Sequence, residues 1–336
     1  MRDNGRVIGG TASVPSAVLT RVLPTERLLF SGDVVCLGTF ACAVGDPSFS
    51  GGEPSTSHCL VFSRTPVWIQ HDGGARYVAD PTRITLHNRG GVYRRWRIDD
   101  RGDRCDWLAF SQPAIAAVVS GWDPAHVDRA AGAPFRLPHV AATPALYLRQ
   151  RRLFERLQRR MLDRLAVEEE ALAILHDVAA RIYDGRNPPM PRIGRDRRRE
   201  FEAVYEVRSR IAAAPAAAHT LRPLAATVGL SPYQLCRAFT RVCGETLTAY
   251  RSRLRILGSL DAVCGGEDLT TVALAWGFAS HSHFTWAFRQ TLGVPPSAIR
   301  AATTRVASRS AGLQACRTAP PAALKGCATV SASRSR

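Results

Sequence analysis

The sequence predicts an α+β chain of two parts: a β-rich N-terminal domain, then helices and an all-α domain with two helix-turn-helix motifs. Three observations predict it. First, LAATVGLSPYQLCRAFTRVCG (Leu224 to Gly244) is echoed by VALAWGFASHSHFTWAFRQTLG (Val272 to Gly293). Ala225 aligns with Ala273 and Gly229 with Gly277. After a one-residue insertion, Ser231 aligns with Ser280, Phe239 with Phe288 and Gly244 with Gly293. Second, from Arg27 to Phe110 short apolar runs alternate with Gly-Gly, Asp-Pro and Arg-Gly-Asp clusters, the pattern of short antiparallel strands in a sandwich or barrel. Third, the formal net charge of +17 is uneven. Residues 1–191 carry 24 basic and 20 acidic groups, residues 192–300 carry 15 and 8, and the last 36 carry 6 and 0. The excess sits on and beyond the repeat, as a polyanion-binding surface requires.

In chain order, residues 1–25 lack a sustained pattern and are expected to be a flexible N-terminus. Residues 26–142 hold the strand-like runs VVCLGTFACAV, HCLVFSRTPVWIQ, ARYVADPTRITLHN and DRCDWLAFS. Pro144 opens a helical region over 143–184. There Leu146, Leu153, Leu157, Met161 and Leu165 recur at helical spacing, and a second helix from Glu168 to Tyr183 aligns Leu172, Leu175, Val178 and Ile182. The first stripe fits either a dimer interface or a helix packed on its own barrel. The run GRNPPMPRIGRDRRR predicts a linker over 185–199, followed by a helical domain over 200–301 and a disordered basic tail over 302–336.

Each repeat reads as a helix, a glycine turn and a second helix opened by a serine cap, the plan whose second helix enters the DNA major groove. In the first unit Thr220 caps a helix with Leu221, Leu224, Ala225 and Val228 inside, Gly229 ends it and Ser231 caps the next. Leu235 and Phe239 point inward, leaving Tyr233, Gln234, Cys236, Arg237 and Arg241 for solvent or DNA. In the second unit Asp268 caps, Val272, Ala273 and Trp276 pack inside, and Gly277 and Ser280 repeat the turn and cap. Phe284 and Phe288 anchor, exposing His281, Ser282, Thr285, Trp286 and Arg289. Leu247, Tyr250, Leu254, Leu257 and Asp261 mark a connecting helix. Paired units on a stiff connector suit two major-groove segments roughly 34 Å apart. Arg237 has the fork for guanine O6/N7, and Gln234 can address adenine. Arg241, Arg251 and Arg289 can hold phosphates.

Other chemistries find little support. No stretch approaches the roughly 18 apolar residues that span a bilayer, and no signal-peptide pattern opens the sequence, so a cytoplasmic location without membrane contact is expected. The nine cysteines are scattered and form no CxxC pair, which argues against a zinc site or a disulfide framework. His58, His71 and His87 fall in strand-like segments, but no HxH pair with a following glutamate is present. Asp99, Asp100, Asp103 and Asp106 read as a solvated turn. No GxSxG elbow, phosphate loop or HExxH appears. The expectation is therefore no enzyme, no metal and no cofactor. The competing reading is a cupin-type metal-binding enzyme or sensor whose helical domain mediates protein contacts.

The stretch ALAWGFASHSHFTWAFRQTLGVPPSAIR, with LAATVGLSPYQLCRAF and YRSRLRILGSL, resembles the DNA-binding domain of the AraC/XylS family of bacterial transcription regulators over residues 201–301. The chain departs from that pattern at Trp286, where the family often carries a basic or polar residue. The departure implies that the second unit grips backbone and the first discriminates sequence. The strand-rich part, with DPTRITLHNRGGVYRR, is similar to the cupin-like sensory domains that precede such DNA-binding domains. The resemblance implies a transcriptional activator more than a repressor, double-stranded promoter DNA and RNA polymerase as partners, a homodimer joined through the helices of 143–184, and a small-molecule effector. A redox-sensing cysteine such as Cys59 or Cys105, or a purely dimerising domain, are the alternatives to the effector.

Overall fold

The computed structural model describes residues 26–122, 133–183 and 195–300. The expected flexible N-terminus, the basic tail and positions 185–194 of the linker lie outside the described residues. Among the described residues, ten strands form two antiparallel sheets. The six-stranded sheet runs β1 (Glu26–Ser31), β2 (Val35–Cys42), β9 (Asp103–Phe110), β4 (His58–Ser63), β7 (Arg83–His87) and β10 (His139–Ala141) in spatial order. The four-stranded sheet runs β3 (Gly51–Pro54), β8 (Val92–Arg97), β5 (Val67–His71) and β6 (Tyr77–Ala79).

Side chains alternate across a strand, so β2, β4 and β9 serve two cores at once. Cys36, Phe40, Cys59, Cys105 and Trp107 join Val67 and Ile69 of the second sheet. Leu37, Leu60, Phe62, Leu108 and Phe110 pack with the helices on the other side. This is why these segments read as continuous apolar runs. Gly38 lies opposite Trp107, and a Cβ there would come within 2.2 Å of the indole, so the ring requires glycine at that position.

Three helices cover the six-stranded sheet: α1 (Gln112–Ser120), α2 (Pro144–Gln158) and α3 (Arg164–Tyr183). Thr143 caps α2 by accepting from Leu146 N at 3.3 Å, with Pro144 at the first helical position. Of the two readings of the Leu146–Leu165 stripe, packing on its own protein is the one observed. Leu146 and Leu153 are buried in the core, whereas α2 ends at Gln158 and leaves Leu165 exposed at the start of α3. Leu153 is thus covered by its own chain.

The remaining helices are α4 (Arg195–Ala213), α5 (Leu221–Ala226), α6 (Pro232–Cys243), α7 (Leu247–Gly265), α8 (Leu269–Ala275) and α9 (His281–Leu292). The linker expected to reach residue 199 ends sooner, because α4 begins at Arg195. Its first turns carry the i,i+4 pair Arg198–Glu202, at 3.0 Å.

Two ionic networks tie the helical part to the sheets. In the first, Arg208 of α4 donates to Asp80 at 2.9 and 3.1 Å, and the Tyr250 hydroxyl of α7 donates to the same carboxylate at 2.8 Å. Burial alone pushes the Asp80 carboxyl up, but Arg208 and Thr82 hold it below the usual range. In the second, Arg151 of α2 bridges Asp106 of β9 and Asp261 of α7, at 2.7 Å to each, and Arg64 also donates to Asp261. Asp103 pairs with Arg95 at 2.6 Å. The expected solvated turn thus holds for Asp100, whereas Asp99 is half-buried and pairs with Arg101. Asp103 and Asp106 point to opposite faces of β9, and both are buried with arginine partners.

Candidate nucleic-acid interface

The first helix pair is α5 and α6. Gly229 adopts φ +67° between them, the left-handed geometry that a side chain disfavours. Ser231 caps α6 in a full capping box: its hydroxyl accepts from Gln234 N at 3.2 Å, and Gln234 Oε1 accepts from Ser231 N at 2.9 Å. Leu224, Ala225, Leu235 and Phe239 are buried as the spacing requires. Two details differ from expectation. The Thr220 side chain makes no capping bond, and Leu221 is partly exposed in the first turn of α5.

The second pair is α8 and α9. Asp268 accepts from Thr271 N at 2.8 Å and Ser280 from His283 N at 3.2 Å. Phe284 and Phe288 are fully buried. Trp276 rests on α7, where a Cβ at Gly258 would meet its ring at 2.3 Å. Gly277 takes φ +75°, and a Cβ there would lie 2.5 Å from Ala216 O. Arg255, which the sequence pattern does not single out, joins the two pairs. It donates to Pro215 O at 2.6 Å, Ala216 O at 3.0 Å and Gly277 O at 3.0 Å, holding the segment before the first pair against the turn of the second.

Both second helices turn their named residues outward. Tyr233 is 69% and Trp286 63% exposed. Gln234, Cys236, Arg237, His281, Ser282 and Arg289 are exposed, while Thr285 is half-buried with its hydroxyl 3.4 Å from His281 Nε2. Arg237 lies over the Tyr233 ring at 5.6 Å, which orients the guanidinium without consuming its donors. Gln234 is committed differently from the expectation. Its amide oxygen closes the capping box, so only the NH₂ end remains to address a base. Arg241 is engaged as well: its Nη1 donates to both oxygens of Glu200, at 2.5 and 2.8 Å. Glu200 is the functional candidate that sequence reasoning missed, since nothing local links α4 to α6.

Between the two sheets is a cavity of about 320 Å³ lined by Phe40, Cys59, Ile69, His87, Tyr93 and Trp107, among others. Of the three strand histidines, His71 and His87 meet at 3.1 Å, whereas His58 accepts from Arg89 N. Burial lowers His71 to about 4 and His87 well below its ordinary value, so both rings are neutral at pH 7. Burial raises the Cys59 and Cys105 thiols, opposing the thiolate that redox sensing requires. Among the described residues, no group of three or more His, Cys, Asp or Glu is placed to hold a metal ion, and no helix is long and apolar enough to cross a membrane.

Residues 224–302 match the family described as "Helix-turn-helix domain". Over 81 residues, 24% of this chain, the sequence is 32% identical to the regulatory protein PocR of Salmonella typhimurium strain LT2. The chain spans about a quarter of that relative's length, 27%. Among solved structures, it is similar to a transcriptional regulator with an AraC-type DNA-binding domain from Chromobacterium violaceum. Identity there is 25%, over 30% of this chain and 92% of that one, with a TM-score of 0.29. It is also similar to ToxT from Vibrio cholerae O395, at 12% identity over 79% of this chain and 96% of that one, with a TM-score of 0.34.

Proposed function

Because its C-terminal domain is a helix-turn-helix domain of the AraC type, we propose that this chain reads a promoter sequence with both helix pairs and activates transcription there. The observation that carries the reading is the outward face of α6 and α9. α6 is anchored by buried Leu235 and Phe239 and α9 by buried Phe284 and Phe288; each is opened by a serine cap and rich in exposed donors and aromatic rings, and Arg255 and α7 lock the two together. Arg237 is the guanine reader, its fork already oriented over Tyr233. His281, Ser282 and Arg289 meet backbone and base edges from the second pair, and Trp286 supplies apolar contact to a thymine methyl or sugar. Cys236 and Thr285 stand on the same two helices. RNA polymerase is the partner of an activator, and two copies of the chain act together, through a surface other than the buried Leu146–Leu153 stripe.

The sandwich cavity takes a small effector. Its position between the sheets and its aromatic residues Phe40, Tyr93 and Trp107 support this role. The ionic networks from Asp80 and Asp106 to α4 and α7 give such a ligand a physical route to the DNA-reading helices. The test is selection of genomic fragments by the purified full chain at several salt concentrations. Recovery of two sequence blocks about one helical turn apart, with affinity falling steeply as salt rises, is the expected result. Sequence-blind recovery at every salt concentration would overturn the reading.

A further inference from the structure

We propose that Glu200 is a built-in competitor for the DNA backbone: it occupies Arg241 and so holds DNA affinity below what α6 alone would reach. The inference rests on the DNA-reading role proposed above.

Arg241 stands in the last turn of α6, and its side chain is 57% exposed, open to a phosphate approaching that helix. Yet a single nitrogen of its guanidinium donates to both carboxylate oxygens of Glu200. A phosphate offers the same chemistry as that carboxylate, a pair of anionic oxygens, so the two are alternatives. Among the described residues Arg237 and Arg289, on the same outward faces, have no acidic partner. Glu200 therefore acts at one chosen arginine.

An exposed ion pair between two long side chains is ordinarily too loose to compete with anything. Here one partner is fixed. Glu200 lies in the first turns of α4, on the stripe that continues through Phe201, Val204, Tyr205 and Arg208, all buried. The Tyr205 hydroxyl is 3.4 Å from His139 of β10, and Arg208 is locked to Asp80 beside β6. α4 is thus wedged into the sandwich at one end while it holds α6 at the other. The carboxylate is presented at a set position, and anything that shifts α4 against the sheets shifts the competitor too.

The experiment uses four full-length proteins: the parent, Glu200→Gln, Arg241→Gln and the double variant. Each is titrated against a mixed-sequence DNA duplex by fluorescence anisotropy across a range of salt. Backbone contacts are sequence-independent, so no operator is needed. Glu200→Gln should bind roughly two- to fivefold more tightly at low salt. Its plot of log affinity against log salt should steepen by about 0.9, the signature of one added phosphate contact. In the Arg241→Gln background the same substitution should leave that slope unchanged. An equal gain and an equal slope change in both backgrounds would overturn the proposal, because Glu200 would then act only as a distant negative charge. Weaker binding by Glu200→Gln than by the parent would overturn it too. Failure of all four proteins to bind would overturn DNA reading itself, whereas binding by all four with one affinity and one slope would overturn the competitor alone.

Discussion

Replacing Gly277 by alanine probes the joint between the two helix pairs. At φ +75° the added Cβ would lie 2.5 Å from Ala216 O and 2.8 Å from Nη2 of Arg255. Two costs combine. A non-glycine residue in the left-handed region costs about 1–2 kcal/mol. The overlap is with main chain, so no rotamer relieves it, and the segment carrying Pro215 and Ala216 must move away from the turn. Arg255 then loses the geometry of at least one of its carbonyl bonds, worth about 1.5–3 kcal/mol for a charged donor. The sum is roughly 2.5–5 kcal/mol. Gly229 is the internal control. Its φ is +67°, but no heavy atom lies within 4 Å of a Cβ built there, so Gly229→Ala should cost only about 1–2 kcal/mol. Asparagine, which tolerates left-handed backbone, separates the two effects: Gly229→Asn should be nearly neutral, and Gly277→Asn should remain costly. Urea midpoints at pH 7 with unchanged m-values measure all four. Equal losses at the two glycines would refute the argument from close approach.

Three further outcomes follow from the same geometry. Arg237→Ala should cost about 1–3 kcal/mol of binding to a selected operator and relax its sequence preference; an unchanged ratio of specific to random binding would remove Arg237 as a base reader. Leu153→Glu should unfold the protein or render it insoluble, because a charge would enter the core between α2 and the sheet; a folded monomer by light scattering and circular dichroism would return that stripe to a dimer interface. Acidification should destabilise the fold well above the range of ordinary carboxylates. His71 titrates near 4 in the folded chain against about 6.5 unfolded, so the unfolded state binds more protons between those values, and stability is lost as pH falls through that window. From pH 7 to pH 5 this one ring accounts for about 2 kcal/mol, and His71→Gln should flatten the dependence; a urea midpoint constant over that range would contradict the neutral, buried ring.

The repeat, its turn glycines and the caps at Ser231, Asp268 and Ser280 were legible because each is settled within three or four residues of itself. The Leu146–Leu165 stripe was legible as a helix face but not as to what covers it, since periodicity is blind to the identity of the packing partner. Its last members, Met161 and Leu165, fall outside α2. Asp106 read as solvated because its partners, Arg64, Gln150 and Arg151, all lie more than 40 residues away. Gln234 shows a subtler limit: one side chain fits two roles, and the nearer partner, Ser231 N, takes its oxygen. Glu200 escaped notice for the same reason as Asp106, its arginine being 41 residues distant.

The buried pair of Asp80 and Arg208 constrains how such a chain can be rebuilt or can diverge. Cutting between the sheets and α4 leaves a guanidinium, 1% exposed in the intact protein, facing water beside bared Phe201, Val204 and Tyr205. Removing one member of such a pair costs about 3–5 kcal/mol. A chimera that grafts the α4–α9 unit onto a foreign sensor would therefore inherit a docking half without its mate. Exchange of the two halves becomes productive only when Asp80, Arg208 and Tyr250 travel as a set, so shuffling of this chain's parts is gated by three buried residues that belong neither to the exposed faces of α6 and α9 nor to the cavity lining.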